Sequence, residues 1–309
     1  MSGAPALVSV IIPTLVRPER VPGLIRAIES VTSQQGACGL PIVVINGSSA
    51  SADLRDSLAG RRDLRVITLA EPGLPGALRA GRAAVETPYF SVLDDDDELL
   101  PGALKARMGA FDDDPQADVV VTNGYLEGLE RRRLNVESFR EIERDPLRAL
   151  FLHNWLSPCA GTFRARTVRL ELFERIPAYR EWTYLGLRLA LERKIRFLSD
   201  PTFVYHTDTP GSLSKSKAYC LAGPRALRQM LRLDLPRDVR TLVRAHLRAG
   251  LHSASDLERL DGNYAAAWWW HLRCLAQAGG WRYLSYTRRL FRLSIRRGAA
   301  ALGLLGYLS

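Results

Sequence analysis

The chain has 309 residues, 47% of them hydrophobic and 25% charged, with a net charge of +10. Such a composition excludes a disordered or low-complexity chain, and the length allows one large domain or two smaller ones with a full core and no staples. The longest apolar run, residues 299–308, is ten residues, well short of the roughly 18 that a membrane span needs. Cys38, Cys159, Cys220 and Cys274 lie far apart and fit no zinc spacing. They read as reduced thiols of a cytosolic protein. No basic segment precedes the short apolar run 7–12, so no signal peptide is expected.

Residues 8–12 form an apolar run ending at Pro13 and predict a buried strand. A helix is expected over 19–34, with Val21, Leu24, Ile25, Ile28 and Val31 on one face. A second strand, 41–45, stops at the turn signal Asn46-Gly47-Ser48-Ser49. A short helix (51–59), a third strand (64–69) and a Pro-Gly-rich turn (72–76) follow. Then come a helix (77–86), a fourth strand (89–93), a helix (102–111) and a fifth strand (118–122). Strands alternating with helices of this length predict βαβ units and a mainly parallel sheet. The middle of the chain is less regular. It holds a charged connector (130–133), a helix near 146–152, a turn-rich stretch 155–161, a helix at 182–193 and strands at 195–198 and 202–205. A polar loop over 209–217 leads into helices only, expected at 218–233, 237–251, 255–278 and 281–297.

The fourth strand ends in five consecutive acids, Asp94 to Glu98, before Pro101 opens the next helix. An open α/β sheet presents its ligand crevice at the C-terminal ends of its strands. Two like charges about 4 Å apart repel by roughly 1 kcal/mol in water and about 4 kcal/mol at an effective dielectric near 20. Such crowding calls for a cation among the carboxylates, and hard oxygen donors suit Mg²⁺ or Mn²⁺. Taken alone, the run also reads as a solvated acidic turn.

The motifs stand in an order that resembles the family 2 glycosyltransferases. They are Val10-Ile11-Ile12-Pro13-Thr14, Val43-Val44-Ile45-Asn46-Gly47-Ser48, Arg79 with Gly81, and Val92-Leu93-Asp94-Asp95-Asp96-Asp97 with Pro101. Glu181 before a helix containing Leu187-Arg188-Leu189, then Thr202-Phe203-Val204-Tyr205-His206 and Gly211-Ser212-Leu213-Ser214, complete the set. The resemblance spans about residues 6–219. It implies the α/β GT-A nucleotide-sugar fold: a Rossmann-like, mainly parallel sheet flanked by helices, here with an appended C-terminal helical region. Residues 1–219 form the transferase domain, about 1–125 its nucleotide-binding half and about 126–219 its acceptor half. Residues 220–309 form a helical, basic region.

In such enzymes Pro13 and Thr14 line the uracil pocket, and the second strand ends in an acid that accepts the base N3–H. Asn46 stands there instead. Its carbonyl keeps the acceptor and its amide adds a donor, while Asn-Gly is also a favoured turn pair. The resemblance implies that Arg79 reaches the donor diphosphate or ribose; by itself it reads equally as a surface helix residue. It makes Asp96 the metal ligand, brings Asp94 to the ribose or sugar, and puts Asp95 in the middle slot of the Asp-x-Asp motif. The catalytic base falls on Glu181, at a position where the family commonly has a Glu-Asp pair and this chain has Glu181-Trp182. His206 is a candidate second ligand for Mg²⁺ or Mn²⁺, with a structural histidine as the alternative. Lys215 and Lys217 lie in a loop able to close over the diphosphate, with solvated lysines as the favoured alternative, and Trp155, Ser157, Cys159 and Gly161 lie where acceptor-facing loops sit in the resembling enzymes.

The activity so implied is metal-dependent inverting transfer of a sugar from a nucleotide-sugar, a UDP-sugar first, to a hydroxyl of a saccharide or lipid-linked acceptor in polysaccharide or glycolipid synthesis. The alternative is a non-catalytic binding or scaffold subunit of the same fold. A P-loop nucleoside triphosphatase is excluded, because the chain has no Gly-Lys pair. From Gly262 onward there are seven arginines and no acid. Over 281–297, Leu284, Phe291 and Ile295 recur on one side and Arg282, Arg289, Arg292 and Arg296 gather on another. That pattern predicts either an interfacial helix on the inner face of the cell membrane or an intramolecular helix with a solvated arginine side. No nucleic-acid module is recognised.

Overall fold

The computed structural model describes residues 6–47, 52–129, 131–209 and 216–301. Ser48, the loop 211–214, Lys215 and the segment 302–309 lie outside these residues. The chain divides into two compact units, Met1–Ser212 and Leu213–Ser309.

The first unit opens with β1 (Val8–Thr14), buried along its whole length. Helix α1 (Val21–Thr32) returns the chain, burying Leu24, Ala27, Ile28 and Val31. Strand β2 (Gly39–Asn46), helix α2 (Ala52–Ala59), strand β3 (Arg65–Leu69), helix α3 (Leu74–Ala83) and strand β4 (Tyr89–Val92) continue the alternation. The four strands are parallel in the order β3-β2-β1-β4. Two local expectations shift. Strand β1 runs past Pro13, which is tolerated because pairing with β4 stops at Ile11↔Val92 and the strand beyond is paired on one side only. Helix α3 starts three residues early, inside the expected turn, with Pro75 in its first turn, where the missing N–H forfeits no helical bond.

The second half of this unit inserts antiparallel pairing. It comprises β5 (Glu98–Leu99), α4 (Ala103–Asp113), β6 (Val119–Glu127), β7 (Arg132–Leu134), α5 (Arg140–Arg144), α6 (Pro146–Ala149), β8 (Gly161–Arg164), α7 (Glu181–Glu192) and β9 (Ile195–His206). Strand β8 lies antiparallel between β4 and β6, and β9 runs parallel to β6 with β5 on its outer edge. The expected strands 195–198 and 202–205 are one strand, with register shifts between Thr122 and Tyr125 of its partner. Residues 161–164 are too few to show an alternating pattern; their two neighbours make them a strand. Trp155, expected on an acceptor loop, is fully buried, its indole N–H donating to Pro146 O at 2.9 Å. Cys159 and Gly161 are buried as well.

Two buried arginines tie the layers together without carboxylate partners among the described residues. Arg82 of α3 donates to the carbonyls of Val168 and Ala165, with its guanidinium 4.7 Å from the Phe90 ring centre. Arg107 of α4 is fully buried and donates to Cys159 O, Thr162 Oγ1 and Thr202 Oγ1. Burial lowers its pKa to about 10, so it stays charged at neutral pH.

The second unit consists of α8 (Lys217–Met230), α9 (Arg237–Leu260), α10 (Tyr264–Leu275) and α11 (Leu284–Ala301). The expected break near residues 252–254 does not occur. Val243, Leu247, Leu251, Ala254 and Glu258 continue one buried face through it. The break falls at Gly262, with φ +76°, and Asn263 caps α10 by accepting from Ala266 N. Lys217, expected in a closing loop, starts α8 and pairs with Glu258 at 3.1 Å and Asp261 at 2.5 Å.

Two predictions follow from this packing. A Cβ on Gly81 would lie 2.3 Å from Ile11 Cγ2. Gly81→Ala therefore forces α3 off β1 and is expected to cost about 1–3 kcal/mol in a denaturant titration. In the helical unit His271 is fully buried, 2.7 Å from Thr287 Oγ1, and His252 stacks against Tyr283 and Tyr286. Burial lowers both imidazole pKa values below the ordinary 6.5. Below pH 6.5 the unfolded chain therefore takes up these protons more readily than the folded one, and stability falls with pH. Melting monitored by circular dichroism should show this loss begin near pH 6.5 and shrink in His271→Gln.

Candidate active site

The β4 strand delivers its acids into a turn fixed from four directions. Leu93 N donates to Ile11 O at 2.9 Å, which holds the strand end against β1. Thr14, the last residue of β1, donates its hydroxyl to Asp95 Oδ2 at 2.6 Å. Arg20, in the turn between β1 and α1, donates through Nη1 to Asp96 Oδ2 at 2.6 Å, and its Nη2 lies 3.3 Å from Asp95 Oδ1. Arg26 of α1 donates to the backbone carbonyl of Asp96 at 3.0 Å. Helix α1 reaches the acidic turn because residue 23 is glycine: a Cβ there would lie 2.8 Å from Asp95 O.

Asp97 is fully buried and is held from β9 and from the turn before β8. It accepts from His206 N at 2.9 Å and from the Cys159 thiol at 3.6 Å. Burial first, then the neighbouring aspartates, raises the pKa of Asp94 and Asp97 well above the ordinary carboxylate range. Asp95 is raised by burial, against the opposing pull of Arg20 and Thr14. One oxygen each from Asp94, Asp96 and Asp97 lies within 4.8 Å of the other two. Hard oxygen donors this close fit Mg²⁺ or Mn²⁺.

His206 falls in a different cluster. Its Nε2 is 3.5 Å from Glu98 Oε1 and its Nδ1 is 3.7 Å from Glu127 Oε2. The Glu98, Glu127 and His206 ligand atoms also lie within 4.8 Å of one another. The histidine thus meets the acidic turn through its backbone N–H on Asp97, while its ring faces the two glutamates.

Glu181 is the first residue of α7, only 7% exposed, and Oε1 accepts from Tyr179 N at 2.9 Å. Tyr179 has φ +67°, the left-handed region that a bulky residue rarely enters, and this bend turns its N–H toward the carboxylate. Burial raises the Glu181 pKa, against the two backbone hydrogen bonds that favour its ionised form. Its charge is the weakest of those that raise Asp94, 87 positions earlier in the chain. Trp182 is buried in the core rather than facing the crevice.

The remaining expected residues are placed less directly. Pro13 lies at the buried end of β1 beside Thr14. Asn46 is buried at the end of β2, and its Oδ1 accepts from Gly73 N at 2.8 Å. One lone pair of that carbonyl is thereby committed to the turn before α3, and the second is left for a ligand. Arg79 is exposed on α3, and the arginine of that helix with buried partners is Arg82. Arg20 belongs to the site and was not legible in the sequence, and Tyr205 was quoted there only as part of the β9 motif. Burial and the charges of Asp94 and Asp97 push the Tyr205 phenol upward. The signal for Arg20 was a basic residue in the β1–α1 turn, which nothing in the local pattern separates from Arg17.

Comparison with known proteins agrees with this architecture. S. aureus TarS, residues 1–349, in complex with UDP-GlcNAc superposes with a TM-score of 0.58 at 17% identity, over 84% of this chain and 75% of that one. The same TarS segment in complex with UDP gives a TM-score of 0.52 at 17% identity, over 84% and 74%. At such identities the likeness establishes the shared GT-A fold. No curated protein matches the sequence significantly. Residues 9–173, more than half of the chain, match the family described as Glycosyl transferase family 2. With the acidic strand end, the first-strand threonine and the first half of the sheet all inside that match, the chain belongs to glycosyl transferase family 2 and is a glycosyltransferase.

Proposed function

We propose that the protein transfers a sugar from a UDP-sugar to a hydroxyl of a saccharide or lipid-linked acceptor, with inversion and with a divalent cation. The observation that carries this reading is the group of Asp94, Asp96 and Asp97 carboxylates at the end of β4, with ligand oxygens within 4.8 Å of one another. Asp94, Asp96 and Asp97 are the residues to hold Mg²⁺ or Mn²⁺. When bound, the cation supplies charge neutralisation for the departing nucleoside diphosphate. Thr14 and Arg20 keep the carboxylates of the turn oriented. Pro13, Thr14 and Asn46 border the nucleobase end, with the free lone pair of Asn46 Oδ1 as the acceptor for uracil N3–H. The acceptor oxygen bonds to the anomeric carbon as the bond to the diphosphate breaks. Glu181 takes the hydroxyl proton, and the electron pair leaves with the nucleoside diphosphate. The helix N-terminus and the Tyr179 N–H favour the ionised carboxylate that a base requires.

Asp96→Asn and Glu181→Gln test the roles. Glu181→Gln is expected to lower kcat by about 10²–10⁴-fold with donor KM little changed. Asp96→Asn should raise the cation concentration needed for half-maximal rate. Transfer by both variants at wild-type rates, with donor and Mn²⁺ saturating, would sink the assignment. Because Glu181 acts deprotonated and burial raises its pKa, the rate should fall on acidification through a pKa above the ordinary 4.5. That acidic limb should vanish in the residual activity of Glu181→Gln. Heat protection by UDP-, GDP- and dTDP-sugars with Mn²⁺ identifies the donor nucleotide.

The helical unit supports a peripheral site of action on the inner face of the cell membrane. No helix among the described residues is long and apolar enough to cross a membrane. Helix α11 nevertheless has two apolar sides. Tyr286 and Leu290 pack with Ala267 of α10. Leu284, Phe291 and Ile295 lie on another side, each more than half exposed, with Arg288 and Arg292 exposed among them and Trp281 67% exposed at the start. An exposed apolar stripe flanked by arginines and no acids matches an anionic lipid surface. Sedimentation with vesicles containing phosphatidylglycerol should retain the protein, and pure phosphatidylcholine vesicles should not. Phe291→Ser with Ile295→Ser should weaken retention at least about tenfold. Equal recovery in the supernatant with both vesicle types would remove the membrane role.

A further inference from the structure

The acidic turn carries its own cation. Arg20 Nη1 holds Asp96 Oδ2 at 2.6 Å while Nη2 stands 3.3 Å from Asp95 Oδ1. Asp96 is therefore shared between two claimants. It is the one carboxylate that belongs both to the arginine bridge and to the cluster of three close oxygens with Asp94 and Asp97. Asp95 differs, since Thr14 anchors it independently of the arginine. Arg20 is also placed to let go. It ends a three-residue helical turn, Pro18–Arg20, held by backbone bonds from Arg20 N to Arg17 O and from Val21 N to Pro18 O, while its long side chain is 20% exposed. The backbone of Asp96 stays tied to α1 by Arg26, so losing the Arg20 contact does not release the turn.

We propose that Arg20 is a tethered competitor for the cation site, bonded to Asp96 until a divalent ion takes that carboxylate and then free to face the anionic donor. This rests on the metal-dependent reading given above and adds a regulatory consequence to it. Two positive groups cannot share Asp96 at bonding distance without strong repulsion. Cation binding therefore has to break the Arg20–Asp96 bond, and the arginine weakens the apparent affinity of the site for metal alone. Once displaced, the guanidinium is a planar fork of five donors beside a crevice that takes a diphosphate, for which its geometry is suited. Donor phosphate offers Arg20 a new partner, so donor and cation should favour each other through this side chain. The site would then load its metal chiefly together with donor.

The test titrates the intact protein with Mn²⁺ alone and follows thermal stability, which reports binding without requiring turnover. Wild type, Arg20→Lys and Arg20→Met are compared. Arg20→Met, which removes the competing charge, is expected to melt lower in the absence of Mn²⁺ and to reach half of its Mn²⁺ stabilisation at an about fivefold or more lower concentration. Arg20→Lys keeps a point charge but loses the fork, and should fall between the two. It also keeps the question answerable if Arg20→Met fails to fold. A second titration with UDP present should lower the wild-type midpoint more than that of Arg20→Met. Midpoints that are equal, or higher in the variants, while wild type is clearly stabilised by Mn²⁺ would overturn the competition and leave the metal reading intact. No Mn²⁺ stabilisation in any of the proteins, with or without UDP, would instead remove the metal reading and this inference with it.

Discussion

The first unit depends on keeping four carboxylates together at the end of one buried strand. Water would separate them; the fold withdraws them from it and raises the pKa of Asp94, Asp95 and Asp97. Asp95, Asp96 and Asp97 are then held by specific donors or cations from other parts of the chain. Thr14 comes from the neighbouring parallel strand, Arg20 and Arg26 from the first crossover, His206 N from the last strand, and the Cys159 thiol from the turn before β8. The cost of desolvating an anion is repaid only when such partners are already in place. For this reason the strand order matters more than the acidity of the run. Parallel β1–β4 pairing brings Thr14 to Asp95, and the β9–β5 pair brings His206 N to Asp97.

A second arginine supports the same turn from within. Arg107 donates to the carbonyl of Cys159 at 2.6 Å, and the thiol of that cysteine reaches Asp97. The guanidinium also gathers Thr162 of β8 and Thr202 of β9, so one buried cation spans the antiparallel insertion. Its partners are neutral oxygens, which satisfy its donors without cancelling its charge. The floor of the site is thus polar and buried, whereas Arg20 on its other side is partly exposed. Glu181 completes the arrangement from α7, where the bend at Tyr179 points a backbone N–H at its carboxylate.

The helical unit follows a different logic. Its helices are long, and their buried faces keep the 3–4 spacing that amphipathic packing needs. Ser255 and His271 inside it are paired by neutral contacts, with the carbonyl of Ala267 and with Thr287, while buried Glu258 takes Lys217. Its surplus of arginine lies on the outside, around an apolar stripe that α11 does not use for packing on α10.

Alternating apolar segments, turn residues and the acidic strand end were enough to read the α/β class, the first four parallel strands, and the family, because each is a local pattern with a characteristic spacing. Glu181 and the aspartates were legible as types of residue, yet the groups that hold them were not: Thr14 and Arg20 lie 81 and 76 positions before the aspartates they bind. Strand β8 exists only because β4 and β6 flank it. The break at Gly262 was signalled by a glycine next to an asparagine, but the polar stretch at 252–254 reads as the stronger interruption until its buried face is seen. His206 was legible as a polar residue at a strand end, and the direction of its ring toward Glu98 and Glu127 came from the pairing of β9 with β5 and β6. Local sequence determined which elements form and which chemistry they carry. Tertiary structure alone decided which charges face one another, because Coulomb energy depends on distances that only the packed sheet sets.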